Sequence, residues 1–335
     1  MDVSDGRKKA MEENAAIIGR RWLHLRWKDK VLIVTTNKDS LVARIMQKAF
    51  RSYASSVEIM ICPDSGKTTS VYFDEREDIF DPYDVVVGAT AYSIVTTTSV
   101  KRMIQRGGRF LSFPCSTNDG RYVLEYSFLK MDTGKSKLMA EIFKKYLDDA
   151  TLVRVATPGG SELTFSKKDR TPGFFNGDVR AGKGFSSSSI EVYVPIEETK
   201  TEGVMVVDGS LGYIGRVDEP FRIVIHEGKI TEIQETKDGL RLRKYLESYN
   251  DPDMYVAGEL GIGLNSLSCC TGNCYIEDES AYGTFHIGFG RNIALGGVHE
   301  ASGHFDLIAR KPDLYADNRK LISTGRIIVP QPQVY

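Results

Sequence analysis

The chain has 335 residues, and its 44 basic and 45 acidic residues leave a formal net charge of -1. This length exceeds what one hydrophobic core usually serves, so we expect two domains, 1–150 and 151–335. Near-neutral charge gives no electrostatic reason to bind nucleic acid. The charged N-terminal stretch lacks a signal-peptide core and no segment resembles a membrane span, which predicts a cytoplasmic protein without a membrane partner. Five cysteines, an odd and sparse count, fit a reducing compartment.

The first half of the chain alternates between helical and buried-strand patterns. A helical pattern over 5–25 precedes an apolar run at 31–34, and Asn37 or Asp39 can cap a helix that extends to Tyr53. Further predicted elements are strands at 57–62, 85–89 and 110–113 and a helix at 136–149. Buried strands separated by helices are typical of a parallel sheet. We therefore predict an α/β N-terminal domain.

From residue 151 the pattern becomes strand-like. Segments such as SSIEVYVPI and FRIVIHEGKITEIQ carry β-formers between turn signals, and Gly228 lies in a hairpin turn. Antiparallel pairing is expected here. One amphipathic helix is predicted at 240–249. The second domain is therefore predicted to be β-rich and of the α+β type.

Four candidate metal ligands lie in the glycine-rich segments AGELGIGLN, GTFHIGFG and GGVHEASGHFD: Glu259, His286, His304 and Asp306. On a strand, residues i and i+2 share a face, so His304 and Asp306 can reach one ion together. In GTFHIGFG, His286 shares its face with Thr284 and two glycines, which leave room beside the imidazole. Imidazole and carboxylate are common ligands of divalent metals. The sequence therefore predicts a shared metal site.

Each of these residues also has an ordinary structural interpretation. A lone strand histidine is more often a hydrogen-bonded core residue than a ligand. Glu259 could cap backbone amides in a turn. Glu191 could face solvent, because Ile190, Val192 and Val194 form the apolar face of its strand.

Several other chemistries fail on spacing. Cys269, Cys270 and Cys274 read C-C-x-x-x-C, which lacks the paired C-x-x-C of structural zinc sites and favours loop thiols near a substrate mouth. The two GK[ST] tripeptides lack the earlier glycine of a phosphate loop, and the GIG run lacks the last glycine of a dinucleotide fingerprint. No G-x-S-x-G elbow supports a serine triad.

The order of IEVYVPI, AGELGIGLN, EDESAYGTFHIGFG and the closing H-x-D resembles the C-terminal domain of the aminopeptidase T family of thermophilic metalloaminopeptidases. The motifs cover about residues 186–308. The resemblance implies a homodimeric hydrolase that releases N-terminal amino acids from small peptides, with two divalent ions (Zn, Co or Mn) per chain. It matches five positions to metal ligands, namely Glu191, Glu259, His286, His304 and Asp306. Glu259 is also the candidate catalytic carboxylate.

The sequence departs from that family at four positions. Ile293 stands where a metal-proximal tyrosine is expected, and Ser280 follows Glu279 where a lysine is usual. Ile190 replaces a glycine, and His299 replaces an asparagine. These departures bear on peptidase activity more than on the metal site.

A related branch resembles the dihydroxypyridine ring-cleaving dioxygenases, which hold one Fe(II) through two histidines and an aspartate. His286, His304 and Asp306 would supply that set. A small-molecule aromatic would then be the substrate. Hydrolysis is preferred because Glu191 and Glu259 add two carboxylates beyond what one iron needs, which favours a second cation. A noncatalytic metal-binding scaffold is the third alternative.

Overall fold

The structure is a computed structural model that describes residues 4–36, 40–180 and 184–329. It has a mixed α/β architecture, with a parallel sheet in the N-terminal region and antiparallel sheets later in the chain, as predicted. Its packing forms two compact units. One contains residues up to 133 together with 175–189, and the other contains 134–174 and the residues from 190 onward. The predicted domain boundary at residue 150 stays a prediction.

The elements are numbered in chain order. The described α-helices are α1 (Asp5–Ile17), α2 (Ser40–Phe50), α3 (Thr69–Asp74), α4 (Thr98–Gln105), α5 (Thr133–Asp148), α6 (Lys237–Glu247) and α7 (Tyr275–Ser280), and α1 continues as a π-helical turn, Ile18–Trp22. The strands of the first half are β1 (Lys30–Thr35), β2 (Ser56–Ile61), β3 (Val85–Ala89), β4 (Arg109–Ser112), β5 (Leu152–Ala156) and β6 (Glu162–Ser166). They are followed by β7 (Gly173–Asn176), β8 (Phe185–Ser187), β9 (Ile190–Pro195), β10 (Glu202–Val207), β11 (Phe221–His226) and β12 (Lys229–Ile233). The last strands are β13 (Ala257–Gly263), β14 (Thr284–Gly290), β15 (His304–Arg310), β16 (Asp313–Ala316), β17 (Arg319–Ser323) and β18 (Arg326–Ile327).

The first unit contains a parallel sheet in the order β2-β1-β3-β4-β8. Its two central strands are mostly apolar: β3, which reads VVVGA, is buried at every residue, and β1 is buried at every residue after Lys30. Such runs are expected where both faces of a parallel sheet are covered. The predicted strands correspond to β1–β4, whereas the predicted caps Asn37 and Asp39 lie outside the described residues. Strand β8 was not predicted, since it has three residues and pairs with the distant β4.

A buried ion pair fastens β4 to the segment before β1. Nη2 of Arg109 lies 2.5 Å from Oδ2 of Asp29, and the two side chains are only 3% and 1% exposed. Nη1 of Arg109 donates to the carbonyl oxygen of Leu23. Burial opposes the charge on Asp29, but hydrogen bonds from the backbone of Arg26 and from Arg109 outweigh it and lower the pKa of Asp29. Both side chains are therefore charged, and each has hydrogen-bond partners inside the unit.

Replacing Arg109 with methionine should destabilise the protein by about 3–5 kcal/mol, because Asp29 would keep a buried charge without its main partner. Urea unfolding followed by circular dichroism would measure the loss. The matched control is Arg102→Met, which removes an arginine from the exposed ion pair with Asp81. Exposed pairs contribute little, so its loss should be clearly smaller. Equal losses in the two variants would contradict this assignment.

The second unit is built from two antiparallel sheets. The larger has the order β12-β11-β10-β6-β5-β16-β17-β18, and the smaller contains β15-β14-β13-β9. The predicted hairpin joins β11 to β12 through Glu227 (φ 48°) and Gly228 (φ 79°), the backbone of a type I′ turn. A Cβ on Gly228 would lie 1.8 Å from the carbonyl oxygen of Glu198, so only glycine fits there.

The smaller sheet is anchored by its apolar face. Phe289 of β14 stacks on Phe305 of β15 with ring centroids 5.5 Å apart, and Tyr245 of α6 packs edge-on against Phe305 at 5.7 Å. Every residue of β13 and β14 is buried. Packing on this face fixes the strands and leaves the opposite face to polar side chains. None of the helices in the described part of the chain has the length and apolar character needed to cross a bilayer.

Candidate metal centre

Strand register brings two carboxylates together over a glycine. Glu259 of β13 lies opposite Gly288 of β14, which in turn lies opposite Asp306 of β15. A Cβ on Gly288 would lie 2.8 Å from Oε2 of Glu259, 2.9 Å from Oδ1 of Asp306 and 2.6 Å from Cε1 of His304. The missing side chain therefore makes the space over which these three groups converge. A β-bulge between Ala257 and Glu259 interrupts the pairing beside this row, a feature that often re-aims a side chain at a site.

Among the described residues, two groups have ligand atoms that all lie within 4.8 Å of one another. One is Glu259, His304 and Asp306, and the other is Glu191, Glu259 and His286. Nε2 of His304 lies 3.2 Å from Oε2 of Glu259 and 3.3 Å from Oδ1 of Asp306. Nε2 of His286 lies 2.9 Å from Oε2 of Glu191. All five predicted residues thus meet in one cluster, and Glu259 belongs to both groups.

The set predicted for a single iron, His286 with His304 and Asp306, is not one of these two groups. The third possible ligand in the group that contains His304 and Asp306 is Glu259. Pattern alone could not separate the two possibilities, because membership depends on how β13 and β14 align. Both sets stay predictions, and the geometry favours the one with Glu259.

The two imidazoles are held differently. Nδ1 of His304 donates to the carbonyl oxygen of Arg291 at 2.9 Å, which directs Nε2 toward Glu259 and Asp306. His286 lies across Gly261, where a Cβ would come within 1.8 Å of its Nε2. Its Nδ1 has no hydrogen-bond partner among the residues that the structure describes. His286 is thus fixed through one ring nitrogen, and His304 through the nitrogen that faces away from the carboxylates.

Burial and charge oppose each other in the cluster. Burial disfavours the charged imidazolium of His286, but the carboxylate of Glu191 outweighs it and raises the pKa of His286 to about 9. The same competition, with Asp306 as the main partner, raises the pKa of His304 well above its usual value. Burial also opposes the charge on Asp306, but His304 lowers its pKa to about 2. Burial raises the pKa of Glu259.

Access to the cluster is uneven. The His304 side chain is 23% exposed, whereas those of Glu259 and Asp306 are 5% and 3% exposed. Those of His286 and Glu191 are 2% and 4% exposed. A small molecule in solvent would therefore meet the group that contains His304 first.

Two residues of the cluster were not predicted as site residues. Tyr275, in α7, donates its phenolic hydrogen to Oδ2 of Asp306. Glu279, from the same helix, is buried, and burial together with the nearby Glu191 and Asp306 raises its pKa well above the usual value. The resemblance places a metal-proximal tyrosine at position 293. The residue there is Ile293, which is 40% exposed. The sequence feature that could have indicated Tyr275 and Glu279 is the acidic run YIEDES, which lies between two strands that carry candidate ligands.

His299 and the three cysteines of the SCCTGNC segment lie outside the two groups of ligand atoms. Nε2 of His299 lies 2.9 Å from the carbonyl oxygen of Asp253. Cys274 is buried, Cys270 is partly buried and Cys269 is exposed. A role for these thiols at a substrate mouth stays a prediction.

The sequence matches the NicX family, described as 2,5-dihydroxypyridine 5,6-dioxygenase, over residues 28–329. The chain belongs to this family. A curated relative, the 2,5-dihydroxypyridine 5,6-dioxygenase of Pseudomonas putida (strain KT2440), is 27% identical over 151 residues. That match covers 40% of this chain and 41% of the relative, about two fifths of its length.

Two solved structures share the fold of this NicX-family chain. The 2,5-dihydroxypyridine dioxygenase of Pseudomonas putida KT2440 superposes with a TM-score of 0.79 at 18% identity, covering 98% of this chain and 99% of that one. Wild-type AmpT from Thermus thermophilus superposes with a TM-score of 0.66 at 16% identity, covering 96% and 100%. At these identities the likeness concerns the fold alone. The resemblance to aminopeptidase T is therefore one of fold.

The prediction of a metallo-aminopeptidase-type hydrolase is wrong, because the family match names a dioxygenase, the stated alternative. The descriptions of the protein as a hydrolase, an aminopeptidase and a metalloprotease are wrong for the same reason. The argument for hydrolysis was that Glu191 and Glu259 favour a second cation. Buried carboxylates can be held by protein partners instead, as Glu191 is by His286 at 2.9 Å.

A methyl group at Gly288 should weaken metal binding, since it would occupy the space between Glu259, His304 and Asp306. We expect Gly288→Ala to lower affinity for Co(II) by about 10-fold or more, in the range seen when ligand orientation is disturbed. Calorimetric titration would measure this, with circular dichroism to check folding. Gly159→Ala is the control, because the nearest atom to a Cβ there is 3.6 Å away. Unchanged affinity in Gly288→Ala would refute the role of this gap.

Proposed function

We propose that the protein is a metal-dependent dioxygenase that opens a dihydroxylated, nitrogen-containing aromatic ring. The observation that carries the proposal is the family match, which spans residues 28–329 and so includes every residue of the metal cluster. The family's described reaction, oxygenation of 2,5-dihydroxypyridine, indicates the substrate class. The partner is accordingly a small aromatic molecule, not a peptide.

The proposed cofactor is one Fe(II), in place of the expected pair of Zn, Co or Mn ions. The donor set that fits it is Nε2 of His304, Oδ1 of Asp306 and Oε2 of Glu259, which converge over Gly288. Imidazole nitrogen and carboxylate oxygen are both ligands that Fe(II) takes in non-heme oxygenases. When bound, ferrous iron supplies the redox chemistry with dioxygen that ring cleavage requires.

The charge of the cluster supports a cation. Four buried carboxylates, those of Glu191, Glu259, Glu279 and Asp306, face two imidazoles. A buried charge is costly unless it is paired. The raised pKa values of Glu259 and Glu279 express this cost. A divalent ion beside Glu259 and Asp306 would stabilise the ionised form of both carboxylates.

We assign His286 and Glu191, the two residues that belong only to the second group, to substrate. Nε2 of His286 lies 2.9 Å from Oε2 of Glu191, and this carboxylate raises the pKa of the imidazole and so favours its charged form. A charged imidazole beside the metal group can orient an ionised hydroxyl of a dihydroxylated ring. Glu191 holds the imidazole in place. The low exposure of both side chains keeps bulk water away from this side of the cluster.

The activity test compares two histidine variants. Protein loaded anaerobically with Fe(II) should consume oxygen when given 2,5-dihydroxypyridine, and His304→Ala should reduce the rate by about 10–100-fold, because it removes a ligand. The control is His226→Ala, since His226 lies on an exposed hairpin where it bonds Glu202. Its rate should equal that of the wild type. An oxygen electrode with product analysis provides both readings.

Two results would overturn the proposal. One is wild-type protein that takes up no oxygen with any dihydroxylated pyridine despite bound iron. The other is His304→Ala protein as active as His226→Ala.

The homodimer rests on the resemblance alone and stays a prediction, which light scattering would test. The cytoplasmic location also stays a prediction.

A further inference from the structure

Helix α7 places a buried phenol against one of the proposed ligands. The hydroxyl of Tyr275 donates to Oδ2 of Asp306, and Tyr275 is only 6% exposed. The other carboxylate oxygen, Oδ1, is the atom that lies 3.3 Å from Nε2 of His304 and nearest to the gap at Gly288. The two oxygens of Asp306 therefore have different partners.

The Tyr275 ring is fixed by its surroundings. It stacks on Tyr213 with centroids 4.0 Å apart and planes inclined by 27°. Tyr213 belongs to the turn Gly212–Ile214, whose Gly212 (φ 53°) runs so close to Asp306 that a Cβ there would lie 2.8 Å from the Asp306 carbonyl oxygen. One turn thus contacts both the phenol and the backbone of its acceptor.

Hydrogen bonds from the second half of α7 fasten the helix to its surroundings. Oδ1 of Asp278 accepts from the backbone nitrogens of Thr271 and Gly272 at 2.8 and 3.0 Å. Oγ of Ser280 donates to the carbonyl oxygen of Ile276 at 2.6 Å and accepts from the backbone nitrogen of Ile190 at 3.0 Å. Ile190 precedes Glu191 in β9, so the helix is tied to a strand of the cluster. The serine that departs from the resembled family is the residue that makes this tie.

We propose that Tyr275 is a positioning residue that occupies Oδ2 of Asp306 and thereby leaves only Oδ1 to bind the metal. The inference rests on the proposed function for the identity of the metal group. A carboxylate that binds through one oxygen takes one coordination position, whereas a chelating carboxylate takes two. By keeping Oδ2 engaged, Tyr275 preserves a position for a substrate oxygen. Hydrogen bonds to ligating carboxylates orient them in this way.

The test uses Co(II) alone as the probe, with the full-length chain. Tyr275→Phe keeps the ring stacked on Tyr213 and removes only the hydroxyl. We expect its Co(II) dissociation constant to rise by about 10-fold. We also expect weaker visible absorption of the bound Co(II), because chelation by the freed Asp306 raises the coordination number. Tyr245→Phe is the control, since it removes a hydroxyl bonded to Tyr249 on the apolar side of the same sheet.

The outcomes separate this inference from the proposed function. If Tyr275→Phe matches the wild type in both affinity and spectrum while Asp306→Ala loses Co(II), the role of Tyr275 is refuted and the metal group stands. If Asp306→Ala itself binds Co(II) as the wild type does, the metal group is refuted. Should Tyr275→Phe fail to fold, Tyr213→Leu, which loosens the ring but keeps the phenol, should shift both readings in the same direction. No shift in that variant would also refute the inference.

Discussion

The space above Gly288 is the constraint on which the rest of the site depends. Three neighbouring strands place Glu259, Gly288 and Asp306 in one row, and any side chain at the middle position would separate the outer two. The same device recurs at Gly261, which lets His286 lie across β13 toward Glu191. Glycine weakens a strand, so its repeated use here has to be offset by packing elsewhere. The stacked Phe289 and Phe305 on the opposite face provide such packing.

Charge is the second constraint, and it follows from the first. Convergence over a glycine forces carboxylates together in a region from which water is largely excluded. Within the protein, the imidazoles of His286 and His304 offset part of this repulsion, and Tyr275 adds a hydrogen bond. With two carboxylates and one imidazole, the Glu259 group would be electrically neutral around a divalent ion. A set of two imidazoles and one carboxylate would leave a net positive charge.

Features that depend on local residue spacing could be predicted from the sequence. The pairing of His304 with Asp306 follows from i, i+2 spacing, and the room beside His286 follows from the glycines on its face. The buried strands β1–β4 were predicted from apolar runs alone. What it missed depends on contacts between distant segments. The contact of Tyr275 with Asp306 requires knowing that α7 lies against β15, and the grouping of Glu259 with His304 and Asp306 requires the register of β13 and β14. The reaction class was ranked wrongly, with the dioxygenase as the alternative, because the same carboxylates and imidazoles could be assigned to either chemistry.

The most direct measurement is the anomalous diffraction of crystals of the iron-loaded protein, recorded at the iron absorption edge. We expect one peak, within bonding distance of His304 Nε2, Asp306 Oδ1 and Glu259, with His286 still beside Glu191 and Oδ2 of Asp306 still bonded to Tyr275. A peak between Glu191 and His286, or two peaks that share Glu259, would contradict it.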